Sequence, residues 1–225
     1  TGNGTNMTSP RVLRTTQPGH IDDIERASIA LHRYERAAGA RSTARIAVDG
    51  GEVHLDVYAA PDDAPSRGTI VFVGGLSAYA LVYADFQHRL SERGWNVVAL
   101  DLRGHGRSSG RRGDFTTETV LADLRGAALY ARERFGGLSY APARPLTSLR
   151  CPHLVLIGER DQMTPLAYTQ KVYDMFEGDK ELVVIPEAGH MGGLVEHQAE
   201  MLDAVDGWLT RRVAQLHPAE AAAAQ

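Results

Sequence analysis

The sequence predicts an α/β protein built on a mostly parallel, doubly wound sheet with flanking helices. Three observations carry that prediction. Residues 69–100 read as strand, helix and strand: an apolar β-branched run from Thr69 to Val73, an amphipathic stretch with Leu81, Ala84, Phe86 and Leu90 on one side, and a second apolar run from Trp95 to Leu100. Short connections of this kind imply parallel pairing with helices covering the sheet. The same alternation returns at 153–158, 165–176, 182–185 and 195–213. Glycines stand where the first helices should stop, at Gly94 and at Gly136-Gly137, positions that tolerate positive φ.

Each element follows in order. Residues 1–17 show no periodicity and are expected to be disordered, with TGNGTN before Met7 reading as a tag remnant. His20 to Ala38 carries Ile21, Ile24, Ile29, Leu31 and Tyr34 with acids early, a helix signal. A hairpin is predicted from RIAV (45–48), the turn Asp49-Gly50-Gly51 and EVHLDVYAA (52–60). There His54 and Asp56 alternate with Val53, Leu55 and Val57, which puts both polar residues on a solvent face.

Beyond the Arg-rich loop, Thr116 or Thr117 is expected to cap a helix running to about Phe135, with Val120, Leu121, Leu124, Ala128 and Tyr130 on one side. Residues 138–150 read as loop. HLVLIG (153–158) is a buried strand, Pro165 opens a helix, Leu182–Ile185 is a strand, and Val195–Val213 is a closing amphipathic helix. The tail 217–225 is low-complexity. The organisation is therefore a disordered 1–17, a single domain over 18–216, and a disordered 217–225.

Composition narrows the function classes. The 225 residues suffice for one domain burying about 70% of its extended-chain surface. With 43% hydrophobic residues, a net charge of −4 and a pI near 6.1, nothing favours nucleic acid, and no apolar run is long enough for a membrane span. No signal peptide is visible, which predicts a cytoplasmic protein. Cys151 is the single cysteine, so a disulfide framework is excluded and the thiol reads as buried and inert. No His, Cys or carboxylate pair has metal-ligand spacing.

In a sheet of this kind ligands bind beyond the carboxyl ends of the strands. The first such loops are Gly74–Ala78 and Arg103–Gly113. Asp161 lies just past strand 153–158 and His190 just past strand 182–185. A carboxylate that fixes an imidazole tautomer and an imidazole that acts as base need such neighbouring platforms. Each also has a plainer reading, Asp161 as a helix cap before Pro165 and His190 as a loop histidine. Together, in that order at successive strand ends, they are read as a dyad.

Gly74-Gly75 after the first central strand, ALDLRGHGRSSG after the second, LIGERDQMTP and IPEAGH together resemble the α/β-hydrolase fold family, of the serine hydrolase and esterase-lipase type, over roughly residues 45–213. The resemblance implies that Asp161 and His190 are the acid and histidine of a catalytic triad. It also implies that Gly75 and Leu76 form the oxyanion-hole loop, with Leu76 the favoured amide donor. It further implies hydrolysis of a small or lipid-like carboxylic ester, without a cofactor or metal. No nucleic-acid partner and no membrane span are expected; a homodimer formed through exposed strand edges is compatible with it.

One part of the pattern is missing. The nucleophile of this family sits on a G-x-S-x-G turn between a strand and a helix, ahead of the acid in the chain. After Gly137 the chain reaches the strand leading to Asp161 within about a dozen residues, so the nucleophile strand, its turn and any cap are absent, and a segment is expected to be missing near 137–138. Three serines stand as substitutes. Ser108 matches as Gly106-Arg107-Ser108-Ser109-Gly110 but reads as a solvated loop residue, Ser139 follows a helix, and Ser77 sits in the oxyanion loop itself. The alternative function is a non-catalytic ligand-binding or interaction protein on the same frame. Arg103, His105, Arg107, Arg111 and Arg112 could bind an anion, but the loop reads as shaped by its glycines and solvated by its arginines, with His105 a structural hydrogen-bonder; Tyr79 and Tyr83 read as core packing with a pocket-lining alternative.

Overall fold

The computed structural model describes residues 10–17, 35–75, 78–113, 115–136, 151–190 and 196–216. Its elements group into two compact units, Thr1–Ala141 and Pro142–Gln225. The predicted helix from His20 lies largely outside the described residues; its described end is α1, Glu35–Ala40.

The first unit holds β1 (Val12–Thr16), β2 (Ser42–Val48), β3 (Gly51–Tyr58), β4 (Gly68–Val73) and β5 (Trp95–Leu100), in the order β1-β2-β3-β5-β4. The predicted βαβ unit is present: β4 and β5 pair in parallel, joined by a 3-10 turn at Ala80–Tyr83 and by α2 (Ala84–Glu92). The hairpin β2–β3 forms at the Asp49-Gly50 turn, where Gly50 takes φ +76°. Because that hairpin joins β5 antiparallel and β1 joins β2 antiparallel, the sheet is mixed, with parallel pairing confined in this unit to β4–β5.

Residues 12–16 correct the expectation of disorder. β1 is exposed along most of its length and is held by backbone pairing with β2, aided by Thr16 Oγ1 against Thr43 Oγ1 at 2.6 Å. Backbone hydrogen bonds need no hydrophobic pattern, so periodicity gave no sign of it.

Helices cover both faces of the sheet. On one, α3 (Thr117–Phe135) packs Ala127, Tyr130 and Ala131 against Ile46, Val53, Leu55, Val57, Val98 and Leu100. Each fully buried aliphatic side chain there contributes roughly 1.5–3 kcal/mol. Gly126 lets the helix lie close, since a Cβ would stand 2.7 Å from Val48 Cγ1. Thr116 caps the helix in a reciprocal capping box with Thr119, and Gly136 at φ +73° ends it. On the other face, α2 buries Phe86, Gln87, Leu90 and Ser91, and its His88 ring lies 6.2 Å from Tyr58.

That second helical layer overturns the expected solvent face of β3. His54 and Asp56 are buried, and Asp56 bonds both Arg41 and His54, the latter Nε2 to Oδ1 at 2.9 Å. A strand paired on both sides and covered on both faces has no wet surface, so its polar residues must satisfy one another. Burial opposes the Asp56 charge, but the His54 hydrogen bond and the nearby His54, Arg41 and Arg107 charges hold the carboxyl below its ordinary range.

The second unit contains β6 (His153–Gly158) paired in parallel with β7 (Lys180–Ile185), and the helices α4 (Leu166–Met175) and α5 (Gln198–Leu216). α4 follows β6 directly, with Pro165 at its N-cap as the sequence predicts. Cys151 is half-buried, its Sγ 3.9 Å from His153 Nε2. No described helix is long and apolar enough to cross a membrane.

Candidate active site

The second unit brings Asp161 and His190 together. β6 and β7 are neighbours in register, Gly158 opposite Ile185, so the loops leaving their carboxyl ends are side by side. The two loops are stitched by backbone bonds, Glu159 N–H to Ile185 O at 3.0 Å and Arg160 N–H to Ala188 O at 2.9 Å. Gly158 is required for this approach: a Cβ would fall 2.3 Å from Ala188 O. Glu187 takes φ +61°, a left-handed conformation costly for a residue with a side chain, and its N–H donates to Glu159 Oε2 at 3.0 Å.

His190 Nδ1 lies 2.9 Å from Asp161 Oδ2. A carboxylate only accepts, so Nδ1–H is the donor and Nε2 is left with its lone pair, the tautomer a general base needs. Asp161 is buried while the His190 side chain is 42% exposed, so the carboxylate is fixed and the imidazole is accessible.

Asp161 does not cap the following helix, whose N-cap is Pro165 without a side-chain cap bond; it closes the turn before it instead. Its Oδ1 accepts from Met163 N–H at 2.9 Å and Thr164 N–H at 2.8 Å, and Oδ2 accepts the Thr164 hydroxyl at 2.6 Å. These bonds shape the turn ahead of Pro165. Burial works against the charge, yet the Thr164, His190 and Met163 hydrogen bonds outweigh it and hold the carboxyl down at about 2. It is therefore ionised wherever an imidazole can act as base. Sequence reasoning passed over Thr164; the Asp-x-x-Thr spacing at 161–164, typical of a side chain that closes its own turn, is the signal that could have found it.

In the first unit, Gly75 is described and Leu76 and Ser77 lie outside the described residues. The Gly75 N–H donates to Tyr83 Oη at 3.2 Å. Tyr83 packs on Phe72, ring centroids 5.2 Å apart, as the core-packing reading expects.

In the loop after β5, Arg111 and Arg112 are exposed as expected, while Asp101, Arg103 and His105 are buried and bonded. Asp101 accepts Ala80 N–H at 2.7 Å and Arg107 N–H at 2.8 Å, and burial beside Asp56 pushes its carboxyl above the ordinary range. The Ser108 hydroxyl donates to Asp101 O at 2.6 Å and accepts His54 N–H at 2.8 Å, so both its capacities serve the backbone. Arg103 is buried against Asp123, Nε to Oδ1 at 2.8 Å, which corrects its reading as a solvated arginine. His105 Nδ1 bonds Arg103 O at 3.0 Å, the structural role expected of it. Ala78, Tyr79, His105, Arg107 and Arg112 line a cleft of about 470 Å³ here. Ser139 lies outside the described residues. Among the described residues no serine hydroxyl bonds His190, and no group of three or more His, Cys, Asp or Glu is arranged to hold a metal.

Comparison with known proteins agrees with this architecture. A hydrolase family model described as serine aminopeptidase, S33, matches residues 64–142. The monoacylglycerol lipase of Mycolicibacterium smegmatis is 42% identical over 65 residues, 29% of this chain; the match spans about a fifth, 22%, of the length of that curated relative. Among solved structures, Est1E from Butyrivibrio proteoclasticus with ferulic acid bound superposes with a TM-score of 0.56 at 16% identity, covering 76% of this chain and 99% of that one. A serine hydrolase without a lid from Xanthomonas campestris gives 0.57 at 19% identity, covering 74% and 94%. An esterase from Exiguobacterium antarcticum gives 0.54 at 14% identity, covering 72% and 97%. The chain has the α/β-hydrolase fold. The family match ends at residue 142, so Asp161 and His190 lie outside it.

Proposed function

We propose that the protein hydrolyses carboxylic esters of small or lipid-like acids by acyl transfer, with His190 as general base and Asp161 as the residue that orients it. The observation that carries the proposal is the 2.9 Å Nδ1–Oδ2 contact at the ends of two adjacent parallel strands. His190 Nε2 takes the proton of a serine hydroxyl as the oxygen attacks the ester carbonyl, and returns it to the departing alkoxide; water then repeats the sequence to release the acid. Asp161 stays ionised throughout and stabilises the imidazolium. The Leu76 amide, in a loop that Gly75 leaves open to a substrate carbonyl, is the oxyanion donor in this reading. The serine is left unassigned. The lipase and esterases among the similar proteins support the substrate class.

A second reading, a non-catalytic ligand-binding or interaction protein, is favoured by one observation. The one literal G-x-S-x-G match has its Ser108 hydroxyl committed to two backbone groups. Intact mass before and after a fluorophosphonate separates the two. One adduct on a chain of 24.4 kDa places the nucleophile in this sequence, and peptide mapping tests Ser77 first. One adduct on a heavier chain places it in a segment near Gly137. No adduct overturns the hydrolase reading.

A further inference from the structure

The Tyr83 hydroxyl sits on the backbone of the loop that the hydrolase reading makes catalytic. Its Oη accepts the Gly75 N–H at 3.2 Å, eight residues back along the chain. The ring leans on the same loop: a Cβ on Gly74 would lie 2.8 Å from Tyr83 Cε2, and one on Gly75 would lie 3.5 Å from Oη. Behind the ring stands Phe72, the penultimate residue of β4, which also meets Phe86 of α2 with centroids 6.3 Å apart. Tyr83 itself joins the 3-10 turn to α2, and Ala80, at the start of that turn, is anchored through its N–H on Asp101 at 2.7 Å. The hydroxyl is thus presented from a fixed platform to a chain of two glycines, which has no side chains of its own to hold it.

We infer that Tyr83 is a positioning residue for the oxyanion loop: its hydroxyl engages the Gly75 amide and fixes the direction in which the loop leaves β4. This rests on the hydrolase reading of the same loop. Two successive glycines are the most conformationally free dipeptide available, and an amide that must meet a developing oxyanion cannot be left to sample that freedom. A displacement of about 1 Å in such a group lowers turnover by up to about a hundredfold. The engagement commits the Gly75 amide to Tyr83. A substrate ester needs no contact with Tyr83 for this to operate.

The test is Y83F in the full chain, which keeps the ring against Phe72 and Gly74 and deletes the hydroxyl. With 4-nitrophenyl butyrate, kcat should fall at least about tenfold with KM within about twofold, at an unchanged melting temperature. Gly75 amide exchange, read by NMR, should accelerate about tenfold in the variant. A kcat equal to wild type in Y83F overturns the inference, as does Gly75 exchange that does not change. A melting temperature that drops while turnover per folded molecule is kept overturns it also, in favour of packing alone. A wild type inert toward the ester and toward fluorophosphonate overturns the hydrolase reading, and the positioning role with it. The Y83F result in an active wild type therefore isolates the failure of the inference from that of the reading.

Discussion

Gly158 lies beneath the carbonyl of Ala188, so close that a methyl group on it would stand 2.3 Å from that oxygen and 2.7 Å from the carbonyl of Gly189. The first is the last residue of β6 and the second belongs to the loop that delivers His190. The approach of the two loops that carry Asp161 and His190 therefore depends on the side chain that Gly158 lacks.

Gly158→Ala should consequently cost about 3 kcal/mol, the upper range for overpacking a site where backbone is the obstacle. Urea denaturation measures that loss. Ester hydrolysis should fall further than the folded fraction does, because the two loops must separate to make room. A variant with wild-type stability and turnover would show that the loops do not need this contact.

His190→Ala should cost about 1 kcal/mol of stability, since the half-exposed imidazole also bonds buried Asp161. Hydrolysis of 4-nitrophenyl butyrate should drop at least about 10³-fold, as for loss of a triad base. Full turnover in the variant would remove His190 from the mechanism.

Asp161→Asn tests the same pair through pH. The Asp161 carboxyl is lowered in the folded state from the ordinary 3.8 to about 2. A group with a depressed folded value stabilises the protein above its unfolded value, and that contribution is lost as pH falls toward the folded one. Wild type should therefore lose stability between about pH 4 and pH 2 more steeply than the variant, an expectation that acid-induced unfolding followed by circular dichroism can check. The variant should be the less stable of the two near neutrality, with the gap closing in acid.

Arg103 and Asp123 offer a test in the first unit. Both are buried, and the arginine also donates to Asp49 O at 2.6 Å, tying the loop after β5 to the hairpin turn. Arg103→Met alone leaves a buried carboxylate without its partner, which costs about 3–5 kcal/mol. Replacing both, with Asp123→Leu added, should recover most of that loss. Thermal unfolding of the two variants decides it.

The contact of Asp161 with His190 could be read from the sequence because each follows an apolar run that forms a strand on its own merits, and the two strands are neighbours. The capping of α3 by Thr116 and its arrest at Gly136 were equally local and equally legible. Residues held by distant partners were not. Alternation in EVHLDVYAA suggests a half-wet strand, and only the arrival of α2 and the buried Arg41 makes His54 and Asp56 interior. Arg103 and Asp123 are separated by 20 residues with no pattern linking them. Tyr83 looked like packing because it is packing, and its hydroxyl bond to Gly75 depends on a loop conformation that no periodicity encodes.

The order of the five-stranded sheet has one further implication. Among the described residues β4 pairs only with β5, and it ends the row with Gly-Thr-Ile-Val-Phe-Val, a run with neither charge nor proline. Natural sheets guard such margins with lysine, proline or a bulge, because exposed backbone groups recruit other extended chains. β4 is therefore the margin of these five strands at which a further extended segment would add. A lysine in place of Val73, the exposed last residue of the strand, would be the smallest change expected to block such an addition.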